Sequence, residues 1–495
     1  MSSSSFPDDV WPPLDRAVRR FAVPTNVDAL ISMFEHLDSR SLLAVSKTCS
    51  QWRTIALSTP TLWWDIQLIG SNDLQTFRLF VRRSSNAAVC MKIVSDNGPC
   101  VEEALATVLR CRARIVSLAV SLSADFDFDS QYAYAHWASL DEAFDRGFPL
   151  LCHLAIHFPV LIRPIWPQDV VKLEEVEQLC ALRFAATSES TPRLVSFEFS
   201  GITMGAPSLC SLPSVTVLCV QLDVVFDGDI SALFCAFPGL RVLGLVSRNI
   251  SALASLPLED ARLLSQLEEL HLFSRNKPHG YMHGIHLLSS ANLRKIRHVY
   301  LHGLEGHADA CAAMVAALDR PCHVTIGAPT CDFRTQLNER HRDVEVETVS
   351  GLRRSCIAPE DKIWHFARPA LEHSYCATLT VHCESWKLIF GRNAQLLRPG
   401  ALRNVRTLRV LLSPRLPLAD LALSSNPSTV KLRMPDLERL EFRAEPNTIV
   451  RVSTDELSRF LKLFEELAYL DAPVFHGVYI YPGRVPAPDL LYLAD

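Results

Sequence analysis

From about residue 113 onward, one arrangement of positions recurs along the chain: apolar-x-x-apolar-x-apolar. It reads Ile115–Leu118–Val120, Leu151–Leu154–Ile156, Leu194–Phe197–Phe199, Val215–Leu218–Val220, Leu240–Leu243–Leu245, Leu267–Leu270–Leu272 and Ile296–Val299–Leu301. It returns as Val405–Leu408–Val410 and Leu437–Leu440–Phe442, and weakly as Leu467–Leu470–Ala472. Consecutive copies lie 36, 43, 21, 25, 27 and 29 residues apart in the first group, and 32 and 30 apart in the second. Fainter pairs at Val324–Ile326, Val344–Val346 and Leu379–Val381 fall in the gap. The end of each copy alternates as a half-buried strand does. Stretches between copies, such as EEALATVLRC at 102–111, DISALFCAF at 229–237 and DELSRFLKLFEEL at 455–467, are helix-like. A strand plus a helix cannot bury its apolar side alone, whereas stacked units share one continuous core. The alternative is an ordinary α/β domain in which a leucine-rich chain matches the phrase by coincidence.

Another period governs residues 25–60. Val27, Leu30, Ile31, Phe34 and Leu37 fall at offsets of three and four, on one stripe of a predicted helix. Thr25 or Asn26 can cap it, and Asp28 suits its first turn. Asp38 or Ser39 breaks the pattern and starts a second helix with Leu42, Leu43 and Val45. A third carries Cys49, Trp52, Ile55 and Ala56 and ends at Ser58 and Pro60, since proline disfavours helical geometry in the residue before it. Three of the eight tryptophans (Trp52, Trp63 and Trp64) lie in or just after this third helix. That is more apolar surface than three short helices are expected to cover among themselves, so either the rest of the chain or another protein is expected to cover it.

The length of 495 residues exceeds what one compact core usually serves, and favours several domains or growth by repetition. A net charge of −5 gives no basic excess of the kind nucleic-acid binding needs. The start, MSSSSFPDDVWPPLD, has neither a basic n-region nor an apolar h-region, and no apolar run is long enough to span a membrane. The 15 cysteines are scattered with no C-x-x-C pair, which reads as reduced, small apolar residues in an intracellular setting, cytoplasm or nucleus.

The N-terminal segment resembles an F-box. The match runs through Met33–Phe34 with Leu37, then Asp38, Ser41–Leu42–Leu43, Cys49, Trp52–Arg53, and Leu57–Ser58–Thr59–Pro60 with Leu62–Trp63; this closing form is similar to the one common in fungal F-box proteins. Val23–Pro24 stands two residues further upstream of Phe34 than the family's Leu-Pro, and Lys47–Thr48 replaces an apolar residue before the cysteine. The resemblance implies docking on a Skp-type adaptor, and through it a cullin, with contacts from Pro24, Leu30, Ile31, Phe34, Leu37, Leu42, Leu43 and Val45. Trp52 and Trp63 are then expected to pack the core of the head or to seat it on the domain behind it. The recurring phrase resembles a leucine-rich repeat, although the expected Asn or Cys is mostly missing, and Asn249 and Asn276 come one residue late.

The expected fold is therefore α/β: a short three-helix F-box followed by an irregular leucine-rich-repeat-like solenoid. The expected organisation is a flexible arm at 1–22, the F-box at 23–66, a connecting or capping segment at 67–112, the solenoid at 113–473 and a tail at 474–495. The function these imply is substrate recognition for a Skp–cullin–F-box ubiquitin ligase. The alternative is a ligase-independent scaffold whose F-box-like helices cap the solenoid.

No nucleotide-binding, hydrolase or zinc-protease motif occurs, so no enzyme activity and no cofactor is expected. DFDFD at 125–129 begins like a calcium loop, but Ser130 and His136 stand where glycine and a bidentate glutamate are needed. His279, His283 and His286 have zinc-like spacing, but Gly280 and Gly284 favour a loop. No metal site is expected. Residues 385–419 hold seven basic residues and no acidic one. Arg403, Arg406 and Arg409 form the candidate target-binding basic face, which could recognise an acidic or phosphorylated segment.

Overall fold

The computed structural model describes residues 26–482 except 71–72, 96–97, 123–141, 143, 158–188, 201–210, 223–233, 248–265, 275–294, 303–313, 316–317, 330–340, 361–362, 387–388, 391–401, 415, 417, 422–431, 447 and 465–469. Three helices come first: α1 (Val27–Glu35), α2 (Ser39–Val45) and α3 (Ser50–Ser58). A 3₁₀ turn, Pro60–Trp63, leads into β1 (Asp65–Ile69). Next come α4 (Leu74–Arg83), β2 (Val89–Ser95), α5 (Gly98–Cys111) and β3 (Ile115–Leu122). Six strands continue the series: β4 (His153–His157), β5 (Ser196–Ser200), β6 (Val217–Leu222), β7 (Val242–Ser247), β8 (Glu269–Ser274) and β9 (His298–His302).

All nine strands lie side by side in chain order, each parallel to the last. Their register explains the recurring phrase. Leu118, Leu154, Phe197, Leu218, Leu243, Leu270 and Val299 face one another across successive strands, and so do Val120, Ile156, Phe199, Val220, Leu245, Leu272 and Leu301. All are buried. Apart from Gly244, which is buried against Cys219, the residues between them in each strand are half-buried or exposed where described. Parallel sheets are usually covered on both faces; here the alternation fits cover on one face only, leaving a polar face open.

The gap in the phrase has a structural cause. β10 (Pro321–Pro329), β11 (His341–Thr348) and β12 (Arg353–Pro359) form an antiparallel meander. It enters the sheet in reverse, so the order runs β9–β12–β11–β10. Parallel succession then resumes with β13 (Thr378–His382), β14 (Thr407–Leu412) and β15 (Arg439–Ala444). The fainter pairs Val324–Ile326, Val344–Val346 and Leu379–Val381 are the core-facing residues of β10, β11 and β13. Arg354, on the core side of β12, is buried and donates from Nη1 to the carbonyls of Ile296 (3.0 Å) and Arg353 (2.7 Å). Its pKa is lowered to about 10 by burial.

The sheet extends beyond the 113–473 range marked by the phrase. β1 and β2 precede it, and β17 (Val474–His476) pairs with β15 after it. Residues 470–472, the described part of the weak copy ending at Ala472, are not a strand; the strand is β17, where Phe475 stacks on Phe442 at 5.4 Å. A separate two-stranded sheet joins β16 (Val450–Ser453) to β18 (Val478–Tyr481). Further α-helices among the described residues are α6 (Ile363–Leu371), α7 (Cys383–Trp386) and α8 (Thr454–Leu461). α8 starts on a capping box between Ser453 and Glu456, and its Phe460 packs among Trp386, Phe442 and Phe464.

Cys356, Cys376 and Cys383 are buried, as small apolar residues are; Cys235 is exposed and the other described cysteines are half-buried. Burial pushes the Cys376 thiol up to about 12 and the Cys383 thiol up to about 11, so both stay protonated at neutral pH. Among the described residues no helix is long and apolar enough to cross a membrane.

Candidate functional site

Two surfaces emerge from these elements. The first is the helical head. α1 is capped by Asn26, whose Oδ1 accepts from the backbone N–H groups of Asp28 (3.1 Å) and Ala29 (3.3 Å). Asp38 caps α2 by accepting from Ser41 N–H at 2.6 Å; the Ser41 side chain first, and then this backbone bond, hold its pKa below the ordinary value. Cys49 starts α3, its sulfur receiving Trp52 N–H at 3.4 Å. Helices of seven to nine residues are marginal alone, so tertiary packing must hold them.

That packing places the predicted adaptor contacts at different depths. Leu30, Phe34 and Leu42 are buried, Phe34 to 3% exposure and Leu42 to 0%. Phe34 meets Trp52 edge-on at 5.7 Å. The 3₁₀ turn packs against all three helices and adds Leu62 and Trp63 to their core. The head thus closes over these three residues with its own elements. Helical periodicity could not foresee this, because the cover comes from a turn. Ile31, Leu37, Leu43 and Val45 are half-buried, and Pro24 lies outside the described residues. Val27 and Met33 are the large apolar side chains left open on α1, at 46% and 61% exposure. Helical spacing put Val27 on the apolar stripe, and the F-box resemblance gave neither Val27 nor Met33 a contact role.

Trp63 seats the head on the sheet. It is fully buried, its Nε1 donates to the Ala56 carbonyl at 2.7 Å, and its ring lies 5.5 Å from Phe80 of α4. The Arg83 guanidinium lies over the same ring at 4.5 Å. Arg40 pairs with Asp73 at 2.5 Å, and the Ser39 hydroxyl donates to the Asp65 carbonyl at the start of β1.

The second surface is the open face of the sheet. Two rows cross its later strands: Glu347, His323, Thr378, Thr407 and Arg439; then Glu345, Thr325, Thr380, Arg409 and Glu441. Glu441 is a hub. Its carboxylate accepts from Arg409 Nε at 2.8 Å and Arg443 Nε at 3.2 Å, and pairs with Arg439 Nε at 2.9 Å. Burial raises its pKa, but the Arg409 hydrogen bond and the three guanidinium charges outweigh this, and the pKa is below the ordinary value.

The residues of the predicted basic face differ in their pairing. Arg409 is paired with Glu441, Arg406 lies 3.9 Å from Glu438 and is well exposed, and Arg403 is exposed. The acids, Glu438 just before β15 and Glu441 within it, lie some thirty residues on, which a window over 385–419 could not contain. Arg439 and Arg443, which that window also left out, are the half-exposed cations here.

Further along this face Glu269 lies between His271 (3.3 Å) and His298 (3.1 Å), and His271 stacks on Tyr300 at 4.3 Å. Arg353 approaches Glu347 (3.4 Å) and Glu345 (3.9 Å). Asp343 is open to solvent yet crowded, and desolvation, then Glu345, push it up to about 6. A raised carboxyl favours the folded state when protonated, and this contribution is lost as pH rises from about 4 through about 6. Asp343→Asn is therefore expected to gain a few tenths of a kcal/mol, roughly, over the parent at pH 8 and nothing at pH 3.5, solvent screening keeping the effect small. Urea titrations at the two pH values check this.

The 125–129 acidic run and His279, His283 and His286 lie outside the described residues. Among the described residues no group of three or more His, Cys, Asp or Glu is placed to hold a metal ion.

Residues 27–67 match the F-box-like family model, a span that runs from the first residue of α1 into β1. The chain therefore carries an F-box-like domain, and domains of this class generally bind Skp-type adaptors. No curated protein matches the chain.

Proposed function

We propose that this protein is a substrate-recognition adaptor of a Skp–cullin–F-box ubiquitin ligase, with the head docking the Skp adaptor and the sheet-bearing remainder binding a target protein. The observation that carries this reading is the family match at 27–67 on a head that completes its own core yet leaves Val27 and Met33 exposed. The docking residues are then Val27, Ile31 and Met33 of α1 with Leu43 and Val45 of α2, in place of the sealed Leu30, Phe34 and Leu42. The remainder is a leucine-rich-repeat-like solenoid, one unit per parallel strand, interrupted by the meander of β10–β12. The chain performs no bond chemistry itself; it raises the local concentration of a target near the conjugating machinery. This reading belongs to the cytoplasm or nucleus.

Pull-down of a Skp adaptor by the full chain tests it. Val27→Asp combined with Met33→Asp is expected to reduce capture at least tenfold with the unfolding midpoint nearly unchanged, because an apolar anchor is lost from a surface and not from a core. Undiminished capture by the folded double variant removes the docking assignment.

The Trp63 seat favours a second reading, in which the head serves only as a cap on the sheet. Failure of the parent chain to bind any Skp adaptor selects it.

A further inference from the structure

The open sheet face carries opposite charges at two places set apart by the strand order. On β11, Asp343, Glu345 and Glu347 point to this face; among the described residues Arg353 of β12 is the guanidinium that approaches Glu345 and Glu347, and His323 Nδ1 lies 3.9 Å from Glu347. Among the described residues, three carboxylates against one guanidinium leave two negative charges. On β14 and β15, Arg409, Arg439 and Arg443 surround one carboxylate, Glu441, which leaves two positive charges. Glu441 is only 4% exposed, whereas Arg439 and Arg443 are 49% and 41% exposed. The negative partner is thus sunk and the positive ones stand open.

Between the two patches lie β10 and β13, with His323, Thr325, Thr378 and Thr380 on this face, neutral groups apart from the histidine. His323 bonds Thr380 Oγ1 at 2.7 Å. The order β11–β10–β13–β14–β15 makes three to four strand spacings from one patch to the other. At about 4.8 Å each, that is about 14–19 Å. One row runs the whole way, from Glu347 to Arg439.

We infer that this part of the sheet face docks a protein segment of mixed charge, with Asp or Glu side chains over Arg439 and Arg443 and Lys or Arg side chains over Asp343, Glu345 and Glu347. Charge complementarity identifies the occupant. A nucleic acid or an anionic membrane would set phosphates against the β11 carboxylates, and a purely acidic segment would use only half of the surface. An extended segment covers the span with about four to six residues between its charges. The inference rests on the reading that the sheet-bearing remainder binds the target, but it does not depend on the head reaching a ligase.

The test uses the full-length chain and fluorescent peptides: three Glu and three Lys separated by five Gly/Ser residues, the same length with Glu only, with Lys only, and with one phosphoserine replacing the Glu block. The Glu–Lys peptide is expected to bind at least tenfold more tightly than either single-charge peptide at low salt, and to weaken as salt rises. Arg439→Gln with Arg443→Gln is expected to remove that advantage, and Arg439→Lys with Arg443→Lys to keep most of it; unchanged unfolding midpoints show that both variants fold. Equal binding of the Glu-only and Glu–Lys peptides overturns the inference, as does unchanged binding by the Gln variant or absence of binding by any peptide. Preference for the phosphoserine peptide overturns the carboxylate assignment. Skp-adaptor capture by the same preparations is read separately: its loss with peptide binding intact counts against the ligase reading alone.

Discussion

Replacing Trp63 by alanine is expected to lower the unfolding free energy by about 3–5 kcal/mol, the range for removing a large buried aromatic side chain. The indole is fully enclosed, and three separate contacts end on it: its hydrogen bond to the Ala56 carbonyl, the Phe80 ring and the Arg83 guanidinium. Ala56 belongs to α3 and the other two to α4, so one side chain joins the head to the first strand–helix unit of the sheet. The alanine variant leaves a cavity there, and the carbonyl of Ala56 loses a buried donor. The head should therefore loosen first. Hydrogen exchange should rise in 27–63 before it rises in the strands, and urea titration should give the size of the loss. Equal protection of head and strands in the variant would show that Trp63 does not join them.

Glu441→Gln is expected to cost about 2–3 kcal/mol at pH 7, less than the loss for a wholly buried pair because two of its three partners reach solvent. The carboxylate is 4% exposed and holds Arg409, Arg439 and Arg443 together; a neutral amide leaves their charges facing one another. Its pKa is below the ordinary value despite burial, so its contribution to stability is present above that value and is lost as pH falls through the lowered one. The cost of the substitution should shrink in strong acid, where the parent loses the same charge. Chemical denaturation of parent and variant at pH 7 and pH 2.5 checks both parts. A cost that does not change with pH would assign the effect to packing and not to charge.

The local features of the fold were legible in the sequence. Asn26 and Asp38 start helices where the pattern changes, and the third helix ends at Ser58 before Pro60, whereas the Cys49 cap and the 3₁₀ turn at Pro60 came from the structure. The apolar phrase marks β3 to β9, β14 and β15, because alternation on a strand with one covered face leaves a period of two. These are short-range effects, set by a residue and its neighbours within a turn or a strand.

The sites were decided by tertiary structure. Phe34 and Leu42 look like an interface in sequence, yet they are core because a turn some twenty residues later closes over them. Arg409 looks like a free cation, yet Glu441 answers it from the next strand. The reversed entry of β10–β12 follows from strand pairing, which no local period records. By itself the sequence determined the F-box-like head and the spacing of the strands. Which apolar groups stay open and which charges lack a near partner was settled only by folding, because burial and pairing depend on residues distant along the chain.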